Sequence, residues 1–162
     1  MSLIAADIGV DKAFMVELTH GEATLDRYSG NDDTKVSRKA NIAADEFRSA
    51  AIKGGYAAAD IDALTSLTIP PRWQEIIAHI ALEELSSGGI GRPDSIKEKA
   101  DQMRKSLSYL AGGAETIDGM TRIAGGGGNV SSSRRSTRPR AFERPEPDAT
   151  DDTNFNYRDE PI

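Results

Sequence analysis

Between Asp32 and Gly113 apolar residues recur every three or four positions, in runs separated by paired glycines or prolines, and after Gly125 that pattern stops. A chain divided in this way can bury one helical stretch and has little left to bury in its last quarter. Residues 125–162 hold four of the seven prolines, a Gly125–Gly128 run and a serine/arginine tract. Such a composition cannot offset its own ordering entropy, so the segment is expected to be disordered alone and to order only against a partner.

The helical stretch reads as four segments. Val36, Ala40, Ala43, Phe47, Ala50 and Ile52 fall on or near one helical face, with Asp32 or Asp33 available as the cap and Gly54-Gly55 as the stop. Residues 57–66 form a short helix with Ile61 and Leu64 facing inward. Pro70 and Pro71 then pre-set the first turn of a helix, where their missing amide donors cost nothing. Trp73, Ile76, Ile77, Ile80, Ala81 and Leu85 give it a wide apolar face, and Gly88-Gly89 ends it. In the last segment Ile96, Ala100, Met103, Leu107 and Leu110 keep the helical period, Ser95 and Glu98 have capping-box spacing, and Gly112-Gly113 supplies a left-handed exit. Joined by short loops, these segments predict an all-α fold, a small antiparallel helix bundle over residues 32–113. No internal repeat is visible.

Residues 1–31 admit two readings. Phe14, Val16 and Leu18 alternate with Ala13, Met15 and Glu17, and His20-Gly21-Glu22 would turn them onto residues 23–28 as a β-hairpin. Val10, Phe14 and Leu18 at four-residue spacing equally fit a short helix. Beyond the bundle, residues 114–124 read as a connector and 125–162 as an extended, partner-binding C-terminal arm.

The formal net charge is −6; six arginines against seven carboxylates in residues 125–162 account for −1 of it and leave −5 for the body. An acidic body argues against a nucleic-acid clamp, which needs a basic face to neutralise phosphates. The absence of cysteine removes disulfides and thiolate metal sites. No secretory signal pattern opens the chain, and no apolar run approaches membrane-spanning length. A soluble, cytosolic product is expected.

Catalytic motifs are not apparent. His20 and His79 lie far apart in sequence, in no ligand spacing, and are expected to be structural or solvent-facing, with His79 edging the core. Glu83 and Glu84 point about 100 degrees apart on a helix and read as a solvated face rather than a carboxylate pair. Gly88-Gly89-Ile90-Gly91 and Gly125–Gly128 lack the strand and helix context of a phosphate loop and read as a connector and a linker. Trp73 keeps the period of Ile76, Ile77 and Ile80, which makes it a core residue. No enzyme activity, cofactor or metal is expected. Arg134, Arg135, Arg138 and Arg140 form the one strip with a functional claim. Carboxylates follow it closely and aromatics do not interleave with it, which favours a protein partner over nucleic acid. Phe142, Phe155 and Tyr157 are candidate anchors on the same arm, because buried aromatics dominate interface energies.

Residues 33–113 resemble the helical head-tail adaptor (connector) proteins of tailed bacteriophages, of the Mu-like neck type. The resemblance lies in the run KVSRKANIAADEFRSAA, then TIPPRWQEIIAHIALEEL, then RPDSIKEKADQMRKSLSYLAGG. Pro70, Pro71, Trp73, Ile76, Ile80 and Leu85 match the family's proline-led core helix, and Ala100, Leu107, Leu110 and Gly112 its final helix. The match covers about half the chain and does not extend to residues 1–31. It implies a structural virion protein that forms a ring, usually dodecameric, between the portal protein and the next neck or tail protein. It further implies a C-terminal arm that reaches the portal, assembly in the host cytoplasm, and DNA that passes through the ring without specific binding. The alternative from another class is a helix-turn-helix DNA-binding regulator with a basic arm, which would need a basic recognition helix.

Overall fold

The computed structural model describes residues 3–87 and 93–123, and its regular elements are all helical: α1 Lys12–Leu18, α2 Glu22–Ser29, α3 Asp33–Lys53, α4 Ala58–Asp62, α5 Pro71–Ser86 and α6 Asp94–Ala111. The chain is all-α, with no strand among the described residues. Residues 124–162, which include the whole expected arm, lie outside the described residues, as do Gly88 to Arg92.

The hairpin expected as one reading of residues 1–31 does not form. His20-Gly21 does turn the chain, with φ of 58° and 156°, but it joins two helices. Two local features decide this. The Asp11 carboxylate accepts from the Phe14 amide at 2.9 Å and fixes the first turn of α1. The alternating residues are also not the ones that go inside: Met15 and Leu25 are fully buried, while Phe14, Val16 and Leu18 only flank the core. Lys12 then ties α1 to α2 and α3, its Nζ lying 3.1 Å from Glu22, 3.8 Å from Asp26 and 2.9 Å from Asp33. The hydrogen bonds to Asp33 and Glu22 hold this ammonium far above the ordinary lysine range.

The three long helices α3, α5 and α6 pack on one another. Asp32 caps α3 by accepting from the Lys35 amide at 3.1 Å. Five of the buried residues of α3 are alanines, at 40, 43, 44, 50 and 51, with Val36 and Phe47 among them. Ile52 is only half-buried, because Ala51 takes the inward position at that turn. Small side chains let the backbones approach and leave space for the bulk of α5, where Trp73, Ile76, Ile77, Ile80 and Leu85 are buried. Pro70 is extended (φ −60°, ψ 136°) and Pro71 is the first residue of α5. Phe47 meets Trp73 with ring centroids 5.5 Å apart, and Lys39 meets Glu84 at 3.0 Å near the other end. That order makes α3 and α5 antiparallel. Arg72 paired with Glu115, and Arg104 with Glu83, run α6 back along α5.

The expected capping box at the start of α6 is absent. Pro93, extended at φ −66° and ψ 130°, is the N-cap, so Ser95 stands inside the helix and caps nothing. Ala100, Leu107 and Leu110 are buried, whereas Met103, expected in the core, is half-buried at its edge. Gly113 has the left-handed φ of +80° expected of the exit. The α4 helix is shorter than residues 57–66 because Thr65 and Thr68 form their own hydrogen-bonded turn, in which the Thr68 hydroxyl accepts from the Thr65 amide at 2.8 Å. Ile61 and Leu64 are buried as expected.

Two non-helical segments complete the core. Leu3, Ala5, Ile8 and Val10 are buried, held by the Ala5 amide to Asn41 (2.9 Å) and the Gln74 side chain to the Ile8 carbonyl (2.9 Å). Residues 114–123 lie over Tyr56: its hydroxyl accepts from the buried Ile117 amide at 2.8 Å, and Arg122 stacks 5.5 Å above its ring. The same guanidinium donates to the Gly113 and Glu115 carbonyls. The Ile123 amide donates to the Gly55 carbonyl at 2.7 Å. Gly54 permits the close crossing of α3 and α6, since a Cβ there would collide with the Leu110 carbonyl.

Burying each large core side chain contributes about 1.5–3 kcal/mol. Leu107→Ala is therefore expected to cost roughly 2–5 kcal/mol, read as a lowered midpoint in chemical or thermal unfolding. An unchanged midpoint would mean that α6 contributes little to the core.

Candidate interaction groove

A broad depression runs between α3 and α6. Ile42, Ala50, Leu107 and Ala111 form its apolar floor, and Asp45, Glu46, Ser49, Lys53, Arg104 and Ser108 its walls, around a volume of about 600 Å³. It exists because α3 shows an outward stripe at three- and four-residue spacing, Arg38, Ile42, Asp45 and Ser49, beside the inward alanine stripe. The short side chains of Ala50 and Ala111 leave the space unfilled. Ile42 is 39% exposed, an apolar side chain half in water. It also edges a second depression, of about 420 Å³, lined by Asp32, Thr34, Lys35, Arg38 and Lys39 around the first turns of α3.

The groove wall is held by a charge network. Arg104 places Nη1 3.0 Å from Glu83, Nη2 3.2 Å from Glu84 and Nε 3.5 Å from Glu46, while Lys39 meets Glu84 at 3.0 Å. Glu83 and Glu84 are therefore not the solvated face expected from their spacing. Glu83 is buried, and the flat guanidinium of Arg104 bridges the 100-degree offset between them with two separate nitrogens. The identities of neighbouring carboxylates do not reveal a partner twenty residues away.

The two histidines, distant in sequence, edge one cavity of about 320 Å³ with Tyr28, Ser95 and Lys99. His20 is exposed and His79 half-buried. Burial first, and then the nearby Lys99 charge, lower the His79 pKa below the usual 6.5, against a smaller opposing effect of Glu75. Elsewhere Leu67 is 95% exposed at the tip of the turn that Thr65 and Thr68 close. Among the described residues no cluster of histidine and carboxylate side chains has the arrangement of a metal site, and no helix is long and apolar enough to cross a membrane.

The residues singled out on the arm, Arg134, Arg135, Arg138, Arg140, Phe142, Phe155 and Tyr157, all lie outside the described residues. The groove on α3 and α6 is a feature that periodicity did not reveal, because its residues were assigned by their inward face alone. Ile42 was the available signal, a large apolar residue off the buried stripe. No protein-family model matches the chain, and no curated protein or solved structure matches it significantly.

Arg104→Ala leaves three carboxylates on adjoining helices without their common guanidinium. It is expected to destabilise the fold by roughly 1.5–3 kcal/mol, with Arg104→Lys recovering only part of the loss in urea unfolding. For His79 the sign is set by its depressed pKa. The unfolded chain takes up the proton first as pH falls below about 6.5, so the stability that neutral His79 contributes at pH 7.5 is lost on approach to its lower folded value. Melting temperatures at pH 7.5 and 5 are expected to differ less in His79→Gln than in the parent chain. An equal difference would remove His79 as the cause.

Proposed function

We propose that this chain is a structural virion component of tailed bacteriophage, a head-tail adaptor whose copies form a ring between the portal and the next neck or tail protein. The reading is supported most by the place of α5. This helix, opened by Pro70-Pro71, is packed between α3 and α6 and carries Trp73, Ile76, Ile80 and Leu85 into the core, as the adaptor resemblance requires of a proline-led helix. The acidic balance of residues 1–124 suits a passage through which DNA slides without being held. In this reading the chain does its work by contact rather than catalysis. Its C-terminal arm is the portal-docking element, with Arg134, Arg135, Arg138 and Arg140 meeting acidic groups on the portal.

The free subunit is then expected to be monomeric or weakly associated and to assemble its ring on the portal, which raises the effective concentration of neighbours. Mixing the full-length protein with portal rings from the same virus, and following the complex by sedimentation and negative-stain imaging, tests the role directly. Deleting residues 125–162 is expected to leave the helical melt nearly unchanged and to abolish docking. Replacing Phe142, Phe155 and Tyr157 by Ala is expected to weaken docking more than replacing any one arginine. Full-strength docking by the truncated protein would leave the arm without this role, and failure of the intact chain to bind any portal ring would remove the adaptor reading itself.

A further inference from the structure

The two depressions that share Ile42 form one continuous surface along α3, and its chemistry is ordered. At the start of the helix stand Lys35, Arg38 and Lys39; the apolar floor of Ile42, Ala50 and Leu107 comes next; Asp45 and Glu46 form the flank. Around the basic end Asp32 caps the Lys35 amide and Asp33 pairs with Lys12, while Lys39 pairs with Glu84 and the Lys35 ammonium donates to the Tyr28 carbonyl. Arg38 is exposed, one turn beyond Lys35, which stands in the first turn of α3 where the positive end of the helix dipole favours acids. The surface thus suits an extended acidic segment with aromatic residues in it.

The chain itself contains such a segment. Residues 146–162 carry Glu146, Asp148, Asp151, Asp152, Asp159 and Glu160 against the single Arg158, with Phe155 and Tyr157 in their midst. We propose that the α3–α6 groove is the docking site for residues 146–162 of an adjacent copy. Asp151 and Asp152 meet Lys35 and Arg38, and Phe155 or Tyr157 covers Ile42 and Leu107. The acidic-then-aromatic order of residues 148–157 thus follows the basic-then-apolar order of the groove. The contact is heterologous: each copy offers one segment and one groove, so a closed ring leaves neither unfilled. This deepens the adaptor reading and rests on it for the ring. It assigns Phe155 and Tyr157 to the neighbouring subunit, so that their part in portal docking acts through ring closure, and leaves Phe142 and the arginine strip to meet the portal itself.

The absence of cysteine from the sequence makes the contact directly testable in the full-length chain. One copy carries Ile42→Cys and a differently tagged copy carries Tyr157→Cys or, as a second probe, Phe155→Cys; the mixture is mildly oxidised, alone and on portal rings. Any disulfide between the two tags joins separate copies. The expected result is a mixed dimer well in excess of that from Asp101→Cys, an exposed position elsewhere on α6. Adding Arg38→Glu to the Ile42→Cys copy should lower the yield about tenfold at low salt, because it sets like charges against each other. Yields no higher than the Asp101→Cys control, free and on the portal, would overturn the proposal, as would indifference to Arg38→Glu. A doubly substituted Ile42→Cys/Tyr157→Cys chain that closes only on itself would overturn the neighbour assignment. Portal binding by the parent chain is scored separately, so loss of the groove contact and loss of the adaptor role are told apart.

Discussion

The contact of α3 with α5 is the constraint on which the remaining structure depends. Ala40, Ala43, Ala44, Ala50 and Ala51 present little more than backbone to their neighbours, so the axes come close enough for Phe47 to reach Trp73 and for α5 to lose most of its surface to water-free contacts. A larger residue at one of these alanines would have to push the helices apart, since close-packed interiors absorb added volume poorly. The geometry of that pair then sets the place of everything else. Thus α6 crosses at Gly54, α4 hangs from α3 by the bidentate Arg48–Asp62 pair, and residues 3–10 close the remaining side through Asn41 and Gln74.

Charged groups fix register where apolar contacts would tolerate sliding. Arg104 reaches α3 through Glu46 and α5 through Glu83 and Glu84, and Lys12 performs the corresponding service for the first three helices. Pairs that remain partly in water add little stability as single interactions. Their value here is directional, because a shift of α6 by one turn would take the guanidinium away from all three carboxylates at once.

The long helices were legible because each buries a single stripe, and a stripe is a statement about sequence spacing alone. Val36, Ala40 and Phe47, or Ile76, Ile77 and Ile80, are found without knowledge of any partner. Residues 12–18 were ambiguous because Phe14, Val16 and Leu18 satisfy a strand period while Met15, the residue that goes inside, is a single position with no period of its own. The capping box failed since Ser95 and Glu98 have the right spacing, yet Pro93 had already set the helix start. Glu83 and Arg104, like Tyr56 and the Ile117 amide, meet across the fold, and no local pattern encodes such pairs. The groove escaped for the same reason: it is made of what two helices leave unfilled.

The hydrogen bond from the Ile123 amide to the Gly55 carbonyl closes a clasp over the end of α3. It holds residues 114–123 beside the place where the C-terminal ends of α3 and α6 cross. Freeing Arg122 from Tyr56 would loosen this clasp, so that a change outside every helix would be felt as fraying where α3 and α6 cross.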